Sequence, residues 1–181
     1  LSRAKNPELN FGPSDEPKII FFAHSPFMFA EKDNVNQNKE LFYAPVSTLT
    51  DNKIPWKPFC KHSDEIKGII ARGNAVYCRT TKGNNNSRII KVSLPNPDFS
   101  TASEILAGDK DWKISSMSES KDYLLIRMTK NGIENKIMLY DFATGKLEEM
   151  HVPLKGTIFM LPYSVFTNEF AVGNTSWTEP F

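Results

Sequence analysis

Two stretches of the chain align residue for residue without a gap: Val76 to Leu94 (VYCRTTKGNNNSRIIKVSL) and Leu124 to Phe142 (LLIRMTKNGIENKIMLYDF). Arg79, Thr81, Lys82 and Ile89 fall opposite Arg127, Thr129, Lys130 and Ile137, a spacing of 48 residues. Each stretch is an apolar run, a turn of Lys with Gly or Asn, and a second apolar run. Two β-hairpins at a fixed spacing specify a repeat, and a period of this length in an all-β chain is that of propeller blades. One blade cannot bury both its faces alone, so the repeat constrains the fold more than any single motif does. Leu41 lies another 48 residues before Ile89 and carries the period upstream.

The rest of the chain is assigned around this period. Residues 1–18 hold Pro7, Pro13 and Pro17 without periodicity and are expected to form an irregular arm. A strand is expected at 19–23, then a long loop from His24 to Asn38, apolar at first and polar later, then strands at 41–46 and 58–61. The next unit has strands at 66–71, 75–81, 88–94 and 103–106, with Gly73 and Gly83-Asn84 in its turns, where Gly or Asn supplies a positive φ. A third unit has strands at 112–118, 123–129, 136–142 and 147–152. A fourth opens at 157–161 and 169–173. The blades are thus expected at 19–62, 63–108, 109–154 and 155–181, the first lacking its early strands and the last its late ones. The fold class expected is all-β: a partial, open β-propeller of about three to four blades, each of four antiparallel strands. A small four-unit propeller closed by strands from both termini is the alternative. The start, LSRAKNPELN, has neither Met nor an apolar signal core and favours the fragment.

Charge narrows the function classes. Lys and Arg number 22 against 21 Asp and Glu, a net charge of +1, so neither nucleic acid nor an anionic membrane is an expected partner. No apolar run approaches the roughly 18 residues that span a bilayer. Cys60 and Cys78 sit in strand-like surroundings and are expected as buried free thiols of a reducing compartment, with a single inter-strand disulfide as the alternative. That points to the cytoplasm, or else to the periplasm.

Other constellations are weak. Cys60-Lys61-His62 puts a thiol and an imidazole on one strand face, but a metal site needs two further ligands and none is evident, so no metal or cofactor is expected. Asp64-Glu65 and Glu148-Glu149 read as solvated turn carboxylates rather than a glycosidase pair. Asn85-Asn86-Ser87 and Asn174-Thr175-Ser176 match the glycosylation acceptor pattern, which matters only in a secreted protein. Lys82 and Lys130 read as solvent-facing turn charges.

The stretch ARGNAVYCRTTKGNNNSRIIKVSLPNP resembles the propeller domain of the prolyl oligopeptidase family of serine peptidases. Its small-residue turn, aromatic strand, Thr-Lys turn, Arg-Ile strand and Ser-Leu-Pro linker follow the family order. Lys136 to Pro153 (KIMLYDFATGKLEEMHVP) is similar to the family's strand, Asp-x-x-Thr-Gly turn and following strand; Gly156, Phe166, Ser176 and Pro180 match the run toward its Ser-Phe-x-x-Pro segment. The likeness covers roughly residues 41–181. It implies a propeller that caps an α/β-hydrolase domain of the same parent chain and admits only short peptides to a Ser on a Gly-x-Ser-x-Gly elbow, with Asp and His partners. No Gly-x-Ser-x-Gly occurs here, so no catalytic residue is expected in this chain.

Residues His24 to Asn38 depart from the short polar connection of the family. If that loop faces the peptidase cavity, His24, Phe27, Met28 and Phe29 are the substrate-facing candidates; packing between blades is the alternative. Two other classes compete: a stand-alone propeller scaffold for a protein or small-molecule ligand, and a carbohydrate-active propeller. Cut sheet edges of a fragment are expected to promote self-association.

Overall fold

A computed structural model describes residues 4, 6–152, 156–162 and 164–176. Pro153, Pro180 and Phe181 of the family-like linkers and residues 1–3 of the arm lie outside the described residues. The first sheet is built from β1 (Glu16–Phe21), β2 (Phe27–Asp33), β3 (Leu41–Pro45) and β4 (Lys57–Cys60). The second holds β5 (Ile66–Arg72), β6 (Ala75–Thr80), β7 (Arg88–Ser93) and β8 (Ser103–Ala107). The third holds β9 (Lys113–Glu119), β10 (Tyr123–Lys130), β11 (Glu134–Asp141) and β12 (Leu147–Glu149), and the last β13 (Thr157–Pro162) and β14 (Phe170–Thr175). Spatial order follows chain order in every sheet. The chain is all-β in propeller-type blades, and among the described residues none of the sheets closes on itself.

Two expectations need correction. The segment from His24 to Asn38 is not a long loop, because Phe27–Asp33 is a central strand pairing with β1 and β3. The first sheet therefore has all four strands. Alternation is lost in β2 because both of its faces are covered: Met28 and Ala30 point to one cluster, Phe29 to another. Nor is the arm wholly irregular. β1 already begins at Glu16, and Leu9 and Phe11, around a 3-10 turn at Pro7–Leu9, are buried.

The chain divides into two compact units, Leu1–Gly83 with Ile89–Ile105, and Asn84–Arg88 with Leu106–Phe181. In the first, Phe29, Leu41, Tyr43 and Phe59 of the first sheet pack on Ile66, Val76, Cys78, Ile90 and Val92 of the second. Phe59 is central, meeting Phe29 at 5.4 Å and Phe99 at 5.5 Å edge to face, the arrangement that ring quadrupoles favour. Burying one such ring contributes about 1.5–3 kcal/mol. In the second unit, Leu125 and Ile137 pack on Ile158.

The 48-residue period reappears as contacts. In the second unit, the β10–β11 hairpin runs in unbroken register from Tyr123↔Asp141 to Lys130↔Glu134. Its outgoing turn explains the Asp-x-x-Thr-Gly motif: Asp141 Oδ1 accepts the N–H groups of Ala143 at 2.9 Å and Thr144 at 2.8 Å. Gly145 then reverses the chain at φ +73, donating to Asp141 O at 2.8 Å. Gly108 and Gly156, also 48 residues apart, occupy places without room for a side chain. A Cβ on Gly108 would stand 2.3 Å from Asn86 O, and on Gly156 1.9 Å from Thr175 O. The corresponding position in the first sheet is Cys60, whose Sγ reaches Lys39 O at 3.6 Å.

Candidate functional site

β2 disperses the four sequence candidates. Met28 and Phe29 are fully buried on opposite faces of their sheet, so they form core rather than a binding pocket. Phe27 is half-buried, edge to face with Tyr43 at 5.8 Å. His24 alone stays in a surface turn, between β1 and β2. Its carbonyl accepts the N–H of Gly73 at 2.7 Å, and Ser25 Oγ donates to Gly73 O at 3.2 Å. Gly73 lies in the corresponding turn of the next sheet. A comparable tie in the second unit runs in the opposite sense, with the earlier sheet donating: Lys121 N–H donates to Thr167 O at 2.9 Å and Asn168 Oδ1 accepts from Ser120 Oγ at 3.2 Å. Within each unit, a turn between first and second strands is thus tied backbone to backbone to its counterpart in the neighbouring sheet.

The densest polar cluster lies at the other end of the first unit, where the β2–β3 turn meets the connection from β4 to β5. Glu31, nearly buried, pairs with Lys39, and Lys32 Nζ reaches Glu40 Oε1 at 2.6 Å. His62 Nδ1 lies 2.8 Å from Asn38 O, so that nitrogen donates, while Nε2 lies 3.4 Å from Glu40 Oε2. Asp64 pairs with Lys82 at 3.2 Å and accepts Lys61 N–H, and Glu65 Oε2 accepts from Thr81 Oγ1 at 2.8 Å. Each of these carboxylates already has a cation or hydroxyl partner. The cluster therefore clamps the β2–β3 turn to the next sheet and presents no poised nucleophile or base. Among the described residues no three His, Cys, Asp or Glu side chains gather as metal ligands.

Cys60 and Cys78 are free and buried in the same core cluster. Burial pushes the Cys60 thiol up to about 12, and raises Cys78 well above the ordinary value. Such thiols make poor nucleophiles, because the reactive thiolate is suppressed. The Cys60-Lys61-His62 grouping does not share a strand face either, since β4 ends at Cys60 and His62 opens a 3-10 turn, His62–Asp64.

Sequence reasoning missed Arg127. It sits on β10, receives Ser115 Oγ at its carbonyl, and donates from Nε to Ser115 Oγ at 3.1 Å and from its guanidinium to Ile158 O at 3.2 Å. Its repeat partner Arg79 is half-buried, and burial lowers its affinity for the proton. The signal was present as the Arg79/Arg127 match, but the partner across the sheets is a backbone carbonyl, invisible in residue type.

Comparison with known proteins gives one family. A family model for the N-terminal β-propeller domain of prolyl oligopeptidase matches residues 27–181. No curated protein sequence matches the chain. Among solved structures, prolyl oligopeptidase B from Galerina marginata in its apo form is similar at 16% identity and TM-score 0.72, over 88% of this chain and 23% of that one. A variant of that enzyme bound to a 35mer hydrolysis and macrocyclization substrate matches to the same extent, with 16% identity, TM-score 0.72 and the same 88% and 23% coverage. A structure from a study of two prolyl endopeptidases and the role of inter-domain dynamics in their catalysis and specificity is 12% identical, with TM-score 0.64, over 84% of this chain and 22% of that one. At these identities the structures speak for the fold. The chain spans less than a quarter of their length.

Proposed function

The chain belongs to the prolyl oligopeptidase N-terminal β-propeller family, and on that premise we propose that it is the propeller portion of a prolyl oligopeptidase-type serine peptidase. In this reading it gates and positions short peptides for an α/β-hydrolase domain of the same parent protein. The observation that carries the reading is the family match from residue 27 to 181, which begins at the first residue of β2 and runs through all four sheets. The site geometry is in keeping with it. The carboxylates of the polar cluster, Glu31, Glu40, Asp64 and Glu65, are engaged in clamps and the two thiols are buried in the core, as suits a module that shapes access and leaves bond cleavage to another domain.

The test uses the intact parent protein with a serine-directed phosphonate probe and proline-containing peptides of increasing length. Labelling of one serine, with turnover that falls as peptides lengthen and vanishes for folded proteins, is the expected outcome. Absence of both labelling and turnover would remove the peptidase reading. Labelling with equal turnover of folded proteins would remove the gating role while keeping the family chemistry.

A further inference from the structure

The second and third sheets carry a β-bulge at the same place in the period. In the third sheet Ile114 pairs with Met128 and Ser116 with Arg127, so Ser115 is the extra residue, and Ser115 and Ser116 together oppose Arg127. In the second sheet Ile66 pairs with Thr80 and Gly68 with Arg79, so Lys67 is the extra residue and shares with Gly68 the place opposite Arg79. Each of these positions lies 48 residues from its counterpart. The bulge residue reaches the arginine that faces it: Ser115 Oγ accepts from Arg127 Nε at 3.1 Å.

What differs between the two bulges is chemistry. An ammonium stands in the second sheet where a hydroxyl satisfies Arg127 in the third, so Arg79 faces another cation. Like charges opposite one another on antiparallel strands repel. Elsewhere in the first unit Lys18, Lys32, Lys39 and Lys82 each hold a carboxylate. Lys67 and Arg79 are half-buried and, among the described residues, make no side-chain hydrogen bond or ion pair. Asp64 and Glu65, the carboxylates nearest in sequence, are engaged with Lys82 and Thr81. Gly68 brings no side chain to this place, and a Cβ there would meet nothing within 4 Å.

We infer that Lys67, Gly68 and Arg79 form a binding site for a small oxyanion, a carboxylate or a phosphate. The guanidinium fork offers paired N–H donors to two oxygens of such a group, and Lys67 adds a second charge. The open place at Gly68 admits the ligand, and the bulge re-aims Lys67 toward it. A bound anion offsets the repulsion, so occupancy stabilises the fold. The site is independent of the peptidase reading, because it rests on β5 and β6 alone.

The experiment is isothermal titration calorimetry of the intact protein with two probes, at an ionic strength held constant with chloride. One probe is inorganic phosphate; the other is an N-acetylated dipeptide with a free C-terminal carboxylate, compared with its amide. Wild type should bind at least one oxyanion, and which probe binds identifies phosphate or carboxylate as the ligand group. Affinity should fall about tenfold in Lys67→Ser and in Arg79→Gln, the loss of one charge-assisted contact. It should be unchanged in Lys53→Ser, which removes an exposed charge elsewhere. Lys67→Ser restores the arrangement of the third sheet, so without ligand it should melt above wild type, and it decides the matter if Arg79→Gln does not fold. Three results would overturn the site: no binding of either probe, binding undiminished in Lys67→Ser, or a Lys67→Ser protein that melts below wild type. Equal binding of the dipeptide acid and its amide, with none of phosphate, would overturn it too.

Discussion

Gly108→Ala tests whether the period is held by close backbone approach rather than by hairpin sequence. The added Cβ would lie 2.3 Å from Asn86 O, 2.8 Å from Trp112 O and 2.9 Å from Asn86 Cβ. Two of these atoms are backbone, so relief requires moving the chain by about an ångström, an overpacking that costs about 1–3 kcal/mol. The displaced backbone carries Gly108 N–H to Ser87 O at 2.8 Å and Ile114 N–H to Asn86 O at 2.9 Å. Weakening both adds about 1–2 kcal/mol, at about 0.5–1.5 for each bond. Alanine returns about 0.4–1 kcal/mol by restricting the unfolded chain. The net loss is roughly 3 kcal/mol, which for a chain of this size lowers the melting temperature by about 6–12 °C. Gly68→Ala is the control: nothing lies within 4 Å of its Cβ, so it should match or slightly exceed wild type. Differential scanning calorimetry of the three proteins decides. A Gly108→Ala protein melting within 2 °C of wild type would refute the argument, and an equal loss in Gly68→Ala would show that the clash is not its cause.

The thiols give a pH prediction. Cys60 and Cys78 both hold their protons to higher pH in the folded chain than in the unfolded one, where the ordinary value is 9. Their stabilising contribution is whole below pH 9 and is lost above it, Cys60's share being exhausted near pH 12. Each thiol steepens the decline by up to about 1.4 kcal/mol per pH unit. Urea midpoints at pH 8.5 and 10.5 should therefore fall less in Cys60→Ser than in wild type, and parallel declines would contradict the burial reading. At pH 8 maleimide should label neither thiol until the protein unfolds, so labelling within minutes of mixing would count against it as well. Phe29→Ala should cost about 3–5 kcal/mol as a vacated core site, since Phe29 is 0% exposed and packs on Phe59. In a parent peptidase of the proposed kind the KM of the residual folded fraction should be unchanged; a raised KM at wild-type stability would restore Phe29 as a substrate contact.

The hairpins were the legible part of the fold, because β6–β7 and β10–β11 join apolar runs through turns whose Gly, Asn and Lys residues announce themselves. β2 was not legible. Alternation marks a strand only when one face is wet, and Met28 and Phe29 are covered from both sides, so their run reads equally well as an apolar loop. Leu9 and Phe11 escaped because a 3-10 turn of three residues has no period to detect. Gly156 stands out in the sequence only as a family-like position, and its pairing with Gly108 is not legible there, since what forbids a side chain at each is the carbonyl of another segment. At the site, the sequence left His24, Phe27, Met28 and Phe29 open between a peptide-facing surface and packing between blades; the structure buries Met28 and Phe29 and leaves His24 in a surface turn. Apolar residues beside a turn are chemically alike whether they line a cavity or fill a core.

The joints between first-to-second-strand turns have a consequence for how such a chain changes over time. Gly73 N–H to His24 O and Lys121 N–H to Thr167 O are both backbone bonds, indifferent to side chain but dependent on the path of the turn. Adding or removing a few residues inside one of these turns moves its donor or acceptor away from its partner. Length variation in these chains should therefore fall away from the first-to-second-strand turns, while substitutions within them are tolerated.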